Sequence, residues 1–549
     1  MATVTRSYFR NNRTLLTNIT VCGWSPGSNF KPDLLCYSLP LSTVIAVFCT
    51  YLLACGSAKD PSSLNSPKSF LSPTENPLVA EYFVSSPLGG KVRVEFGVDT
   101  SYERQTAWYG VSPGQNGISI LVAGMKPSTS YHMRAEIRSD GDGDSWFDAD
   151  RVFVTGPLPS TAFPSLIVTR PADSLNVEEN GVELINLTEP ISNLMEAVVA
   201  DRDGNPIWFY DVGADQGNIP YPIRLLPNGH ILINLQSGAT GATSLREIDL
   251  AGRIIRQLDA STLQQTLQAL GYRVEALGFH HDFLPLTNGH VIVLASCLQD
   301  FTDLAGYPGI THVVGDLLIE LDADWNPVWF WSSFDHLDLN RHLLGLPDWT
   351  HSNAVVYTPD DGNLLLSVRN QSWILKIDYR DGAGSGDVLW RLGDAGDFTL
   401  IDSNPSDWFY AQHFPSLIST DGSAMTVAIF DNGNLRILDA NGTTCGPAPA
   451  PACYSRAAIF QIDQSTRTAT LVWQNRPGSY SFWGGSINQL PNTNIEFAMS
   501  APFPTVRASR LLEVTQTDSP QITWQMDIQN GYAYRAYRIP SLYPGVSWK

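Results

Sequence analysis

Short runs in which apolar and polar residues alternate recur along most of the chain, separated by turn residues. Between residues 78 and 156 they read KVRVEFGV, TAWYGVS, SILVAGM, YHMRAEIRS and DRVFVTG. Period-two alternation bounded by turns marks strands with one face buried, and this number of strands in about 80 residues predicts a small Ig-like β-sandwich. Beyond residue 160 the pattern repeats. Asn228-Gly229 precedes HILINL, Asn288-Gly289 precedes VIVLAS, Asp361-Gly362 precedes NLLLSVR, Asp421-Gly422 precedes SAMTVAIF and Asn492-Thr493 precedes NIEFAMS. Each unit continues with a strand ending in Asp (LREIDL, LIELDA, ILKIDY, IFQIDQ), of which LLEVTQ is a variant. Most close on a strand bearing Trp208, Trp329, Trp390, Trp473 or Trp524; one closes on IIRQLD instead. Six such units, the first and least regular over 163–212, predict a six-bladed β-propeller over 160–549 in an all-β protein. One unit cannot bury both its faces, whereas a ring of six does; the long period argues against a solenoid.

The N-terminal region has a different pattern. LSTVIAVFCTYLLA, residues 41–54, carries no charge; it is too short for an ordinary membrane span and suits the apolar core of a signal peptide. It runs into Leu52-Leu53-Ala54-Cys55, which resembles a bacterial lipobox. Residues 1–55 are therefore expected to be a lipoprotein-type signal segment with Cys55 lipidated, and Gly56 after it suggests the outer membrane. The basic residues before it, Arg6, Arg10, Arg13 and Lys31, are spread out, which suggests a later true start. Residues 56–77 are rich in Ser and Pro and read as a flexible tether. The expected location is the periplasmic side, with membrane contact through the lipid alone. Cys445 and Cys453 flank CGPAPAPAC and suggest a local disulfide in that oxidising compartment; Cys297 reads as a core thiol. Within the sandwich, LVAGMKPSTSYHMRAEI resembles a corner of fibronectin type III domains, with Lys126-Pro127-Ser128-Thr129-Ser130-Tyr131 supplying most of the pattern.

Charge and histidine content sharpen the picture. The 549 residues carry a formal charge of −20, which argues against nucleic-acid partners, since these require a basic face. Only ten histidines occur. His280 and His413 each stand nine residues before the turn glycines Gly289 and Gly422; His351 stands eleven before Gly362, with two extra residues in PDDG. First strands line the channel of a propeller, so three consecutive units point an imidazole toward one cavity. Arg369 ends LLLSVR and can reach the same space, offering a guanidinium fork to an oxyanion. With no carboxylate cluster in view, this reads as an anion site.

HHDFLPL, HSNAVVYTPDDGNLLLSVRNQ, QHFPS, AIFDNGNLR, CYSRAAIFQID and YRAYRIPSLYPG together resemble the bacterial arylsulfate sulfotransferase family. The resemblance implies a six-bladed propeller behind a β-rich domain. It implies transfer of a sulfuryl group from a phenolic sulfate ester to a phenol by a ping-pong route through a sulfohistidine, with no nucleotide donor, metal or other cofactor. Carried over residue by residue, His413 is the nucleophile, His351 and Arg369 the His/Arg pair, and His280 the earlier channel histidine. Asn353 is expected to bind a sulfate oxygen, and His281 to alternate onto the other face as a structural residue. The resemblance also allows a homodimer through the sandwich. Two features depart from the family pattern: Phe414-Pro415 follow the nucleophile, and the cysteine pair follows Asp431-Asn432-Gly433. Two other readings of the histidines are a metal-dependent hydrolase or oxidase and a non-catalytic binding propeller.

Overall fold

The computed structural model describes residues 68–85, 89–138, 145–159, 163–171, 178–188, 197–211, 218–237, 243–402, 404–439, 441–447, 449–503 and 508–549, with the paired strands Asn18–Gly23 and Leu35–Pro40. That hairpin belongs to a separate unit, residues 1–66. The apolar segment 41–54 and Cys55 lie outside the described residues, and no described helix is long and apolar enough to cross a membrane. The described chain is nearly all β.

The first sheets fall where the sequence predicts a sandwich. Ser69–Pro73, Ala80–Val84 and Ile118–Val122 form one sheet; Gly90–Gly97 and Ser130–Arg138 are central in a second of six strands. Val92, Val94 and Phe96 face the core, while Lys91, Arg93 and Glu95 face out, as strand alternation requires. The tether ends earlier than expected. Ser69–Pro73 pairs with Ala80–Val84, and buried Asn76 donates to the Phe209 carbonyl at 2.8 Å. The Tyr131 hydroxyl accepts from the Lys126 N–H at 2.9 Å and closes its corner.

Among the described residues six sheets of four or five strands follow, antiparallel throughout except that Thr399–Leu400 runs parallel to Thr468–Asn475. Their first strands are β1 (Asn218–Leu225), β2 (Glu275–Pro285), β3 (Ser352–Thr358), β4 (His413–Asp421), β5 (Ser486–Gln489) and β6 (Ala533–Ile539). At least three further strands extend outward from each in order, with a fifth strand in the sheets of β4 and β5. Each first strand contacts the next, and β6 contacts β1. The expected first unit, 163–212, is divided. Val182–Leu187, Ala197–Ala200 and Pro206–Tyr210 build out from the C-terminal β6, while Ser165–Thr169 pairs with Ile522–Gln529 on the preceding sheet. Ser165–Thr169 and the C-terminal β6 thereby cover edges that would otherwise present unpaired backbone groups.

The repeated residues have defined work. The closing Asp of the third strand caps the following turn: Asp249 accepts from the N–H of Ala251 and Arg253, and Asp322 from those of Asp324 and Asn326, a side-chain mimic of a backbone turn. The outer tryptophans bond to the neighbouring sheet. Trp208 donates to Leu250 O, Trp331 to Gly386 O, Trp390 to Gln464 Oε1, Trp473 to Thr517 O and Trp524 to Arg202 O, all at 2.8–3.1 Å. In the unit of β2 the bonding residue is Trp331 rather than Trp329. The two are both on one strand, and it is Trp331 that is buried. In the unit lacking Trp, Arg256 donates to Ala323 O at 2.5 Å and stacks on Trp325.

Candidate active site

The three first strands that carry or adjoin the expected histidines each break register: between Phe279 and Phe283 on β2, Ser352 and Ala354 on β3, and His413 and Ser416 on β4. His281, His351 and Phe414 have positive φ there, at 50°, 49° and 43°. Bulges re-aim side chains, and such backbone conformations concentrate at functional sites.

His413 is 1% exposed. Its Nδ1 lies 2.8 Å from Asn432 Oδ1, and its Nε2 accepts from the Gly484 N–H at 3.3 Å. Burial, with the nearby positive charge of Arg369, holds its basicity well below the ordinary value of 6.5; the bond to Asn432 offsets this only in part. The imidazole is therefore neutral at neutral pH. Arg369 opens a short turn after Asn363–Val368 and is buried. It donates through Nη1 to Asn370 Oδ1 at 2.8 Å and through Nη2 to Phe482 O at 3.4 Å, while its buried Nε has no hydrogen-bond partner. Burial pushes the guanidinium below its ordinary value.

His351 is partly exposed, and its Nδ1 meets Asp348 Oδ2 at 2.6 Å. The two adjacent histidines on β2 line the same cavity, and His281 does not turn to the opposite face as alternation predicts. His281 packs its ring on His351 at 4.5 Å and on Tyr534 at 5.8 Å. His280 lies behind it, with Nδ1 2.9 Å from His281 Nδ1 and Nε2 3.2 Å from Asp316 Oδ1. The bulge is the reason, because strict alternation fails across it. Burial and the surrounding histidines and Arg535 lower the basicity of His281. Burial raises the Asp316 carboxyl, but the nearby His280 and the polar groups of Ser352, whose N–H donates to Oδ2 at 2.6 Å, and Thr350 outweigh it and hold the group below its ordinary range. Carboxylates thus stand beside two of the histidines, which the sequence did not reveal. His280, His281, His351, Asp316 and Asp348 line a cavity of about 260 Å³.

Asn353 is not aimed as expected. Its Nδ2 donates to Gln412 O at 2.8 Å, bracing the residue before His413. Cys445 and Cys453 form a disulfide, buried against Tyr480 and near Phe482, and Cys297 is buried and free.

Several site residues went unrecognised. Arg535 is fully buried, bonded to Asp282 at 3.1 Å and to the Tyr534 hydroxyl at 3.2 Å; Arg224 reaches the same Asp282 at 2.8 Å. Two guanidiniums sharing one carboxylate leave a local positive excess beside the histidines. Tyr534 also presents its ring to His413 at 6.2 Å. Tyr534, Arg535 and Asn432 all sit in strings noted in the sequence, YRAYRIPSLYPG and AIFDNGNLR, but nothing local distinguishes them. Among the described residues, no group of three or more His, Cys, Asp or Glu is arranged to hold a metal.

The arylsulfotransferase family model matches residues 171–535, a stretch that contains every one of these side chains. The chain belongs to the arylsulfotransferase family. Membership supplies the general activity, sulfuryl transfer, with a phenolic sulfate as donor and a phenol as acceptor. Comparison with curated proteins finds no match. Among solved structures, an apocarotenoid oxygenase variant from Synechocystis is 12% identical with a TM-score of 0.32, covering 88% of this chain and 97% of that one. Drosophila Semaphorin 1b, extracellular domains 1-2, is 9% identical with a TM-score of 0.27, covering 68% and 82%. A DUF4221 member from Bacteroides vulgatus is 8% identical with a TM-score of 0.26, covering 69% and 99%. Likenesses this slight carry no argument about this arylsulfotransferase.

Proposed function

We propose that this arylsulfotransferase works by a ping-pong route in which His413 carries the sulfuryl group. The observation that carries the reading is the pairing of a buried, neutral imidazole with Arg369, whose Nε has no partner within the fold. A buried unpartnered donor is costly, and a sulfuryl oxygen is the kind of acceptor that would relieve it. In the first half-reaction an imidazole nitrogen of His413 attacks sulfur. The N–S bond forms as the S–O(aryl) bond breaks, and that electron pair leaves with the phenolate. Arg369 binds sulfuryl oxygens, and positioning with charge stabilisation supplies most of the rate by analogy with phosphoryl transfer. His351, held by Asp348, protonates the leaving oxygen, a role worth roughly 10²–10⁴-fold, while His281, kept uncharged by its surroundings and backed by His280 and Asp316, packs beside it. An acceptor phenol then gives up its proton to this cluster and takes the sulfuryl group.

The same reading assigns the six sheets to a six-bladed propeller, supported by the circuit of first-strand contacts, and residues 78–156 to a fibronectin type III-like sandwich, supported by the Tyr131 corner. It places the protein on the periplasmic side, anchored through Cys55.

The test uses metal-free protein, 4-nitrophenyl sulfate and phenol. Nitrophenolate release should rise with phenol and vanish in His413→Ala. Turnover that appears only after metal is added, or that survives in His413→Ala, overturns the reading.

A further inference from the structure

The surroundings of His413 fix more than its position. Asn432 is fully buried. Its Nδ2 donates to two backbone carbonyls, Ser481 O at 2.8 Å and Gly484 O at 3.0 Å. Both amide hydrogens are thereby used. The reverse orientation of the amide would set its oxygen against two carbonyl oxygens, so the side chain can face only one way. Oδ1 must then be the atom turned to His413, and an oxygen there can only accept. The proton of the bond lies on His413 Nδ1. The opposite side of the ring requires the same assignment. The Gly484 N–H points at Nε2, and a donor can meet only a lone pair. Two independent contacts thus select one tautomer.

We propose that Asn432 positions the nucleophile by holding His413 as the Nδ1–H tautomer, so that Nε2 is the nitrogen that takes the sulfuryl group, its one lone pair being held at rest by the long 3.3 Å bond from the Gly484 N–H, which must yield as the N–S bond forms. The proposal rests on the reading of His413 as nucleophile. Its chemistry also says why an amide serves here and a carboxylate would not. Attack by Nε2 while Nδ1 keeps its proton yields an imidazolium bearing a sulfonate. An amide oxygen stabilises that cation but is too weak a base to remove the proton. The imidazole therefore departs as a neutral leaving group when the acceptor attacks. A carboxylate at 432 would draw the proton toward itself and make the sulfohistidine harder to discharge. The same side chain holds Ser481 and Gly484, and Asn434 holds Phe482 O between them at 2.9 Å, so the loop 481–484 and the tautomer are set together. Gly484 must be glycine for this: its φ is +62°, and a Cβ would stand 2.0 Å from Ser500 Oγ.

The test reads the tautomer directly and then its consequences. Nitrogen NMR of the resting protein labelled at histidine, with His413 assigned by its loss in His413→Ala, should show the proton on Nδ1; a proton on Nε2 overturns the proposal. Asn432→Ala should lower kcat by about 10–100-fold, the usual cost of losing an orienting partner, while the donor KM moves little. In Asn432→Asp the added negative charge should move the acid limb of the rate profile to higher pH. It should also lengthen the life of the sulfo-enzyme formed without acceptor, giving a burst of nitrophenolate followed by slow turnover. A purely structural role would change neither of these, and an Asn432→Asp protein with wild-type pH profile and discharge rate overturns the proposal. If wild-type protein never carries sulfate on His413 while the Nδ1 proton is present, the failure lies in the nucleophile reading and not in the tautomer.

Discussion

At the scale of single residues, the site depends on where charge and protons can sit. His413 is neutral because burial and Arg369 oppose its protonation. Its depressed basicity means that kcat/KM should stay level as pH falls through 6.5, where an ordinary imidazole would protonate and stop attacking. Arg369→Met removes the opposing charge, so His413 should protonate at higher pH and the acid limb should move up; initial rates across a pH series check this. Arg369→Lys keeps the charge but loses the Nε–H and the planar fork. It should lower kcat/KM for an aryl sulfate by about 10²–10³-fold, the usual cost of removing one well-placed donor to developing negative charge. His413, His351 and Arg369 were legible in the sequence by their register and by resemblance. His281 was not, because placing it by alternation assumes an unbroken strand and β2 is bulged between Phe279 and Phe283. Asn432 was not, because its meaning lies in Ser481 and Gly484, which are distant along the chain.

At the scale of elements, the repeat is a chain of handshakes between sheets. An outer-strand donor in each sheet reaches the neighbouring one, and the Asp-capped turns keep several of the receiving carbonyls in place. Trp473→Phe deletes one such donor while keeping most of the apolar surface. The expected loss is about 0.5–1.5 kcal/mol, measurable as a lower urea midpoint with little change in activity, since Trp473 contacts none of the site residues. This level of organisation was largely visible in the sequence, since turns, alternating strands and recurrent Trp are local signals. Two details were not. Trp331 and Trp329 both fit the pattern, and only packing showed which one bonds. Arg256 stands in for a tryptophan with a different side chain doing the same bonding.

At the scale of the whole molecule, the first-strand contacts and the centre they surround decide how the pieces add up. Arg224 from β1, Asp282 from β2 and Arg535 from β6 meet as a network around a fully buried carboxylate, joining strands 253 residues apart along the chain. Asp282→Asn would leave two guanidiniums without their carboxylate. It should destabilise the fold by about 3–5 kcal/mol, the usual cost of stranding a buried charge, seen as a shift in the denaturation midpoint. The C-terminal residues also bind the sheets that precede residue 156, Tyr543 through the backbone of Leu121 and Ala123 and Trp548 through Gln105 O. The sequence by itself determined the all-β class and the repeat, because these follow from periodicity and spacing within short stretches, and it offered His413, His351 and Arg369 as candidates through their register and a family resemblance. Tertiary structure alone decided that the unit at 163–212 is shared between two sheets, which histidine of the pair faces His351, and which nitrogen of His413 bears the proton. Each of these turns on contacts between residues far apart along the chain, or on a local break in strand geometry, and neither is written in the period of the strands.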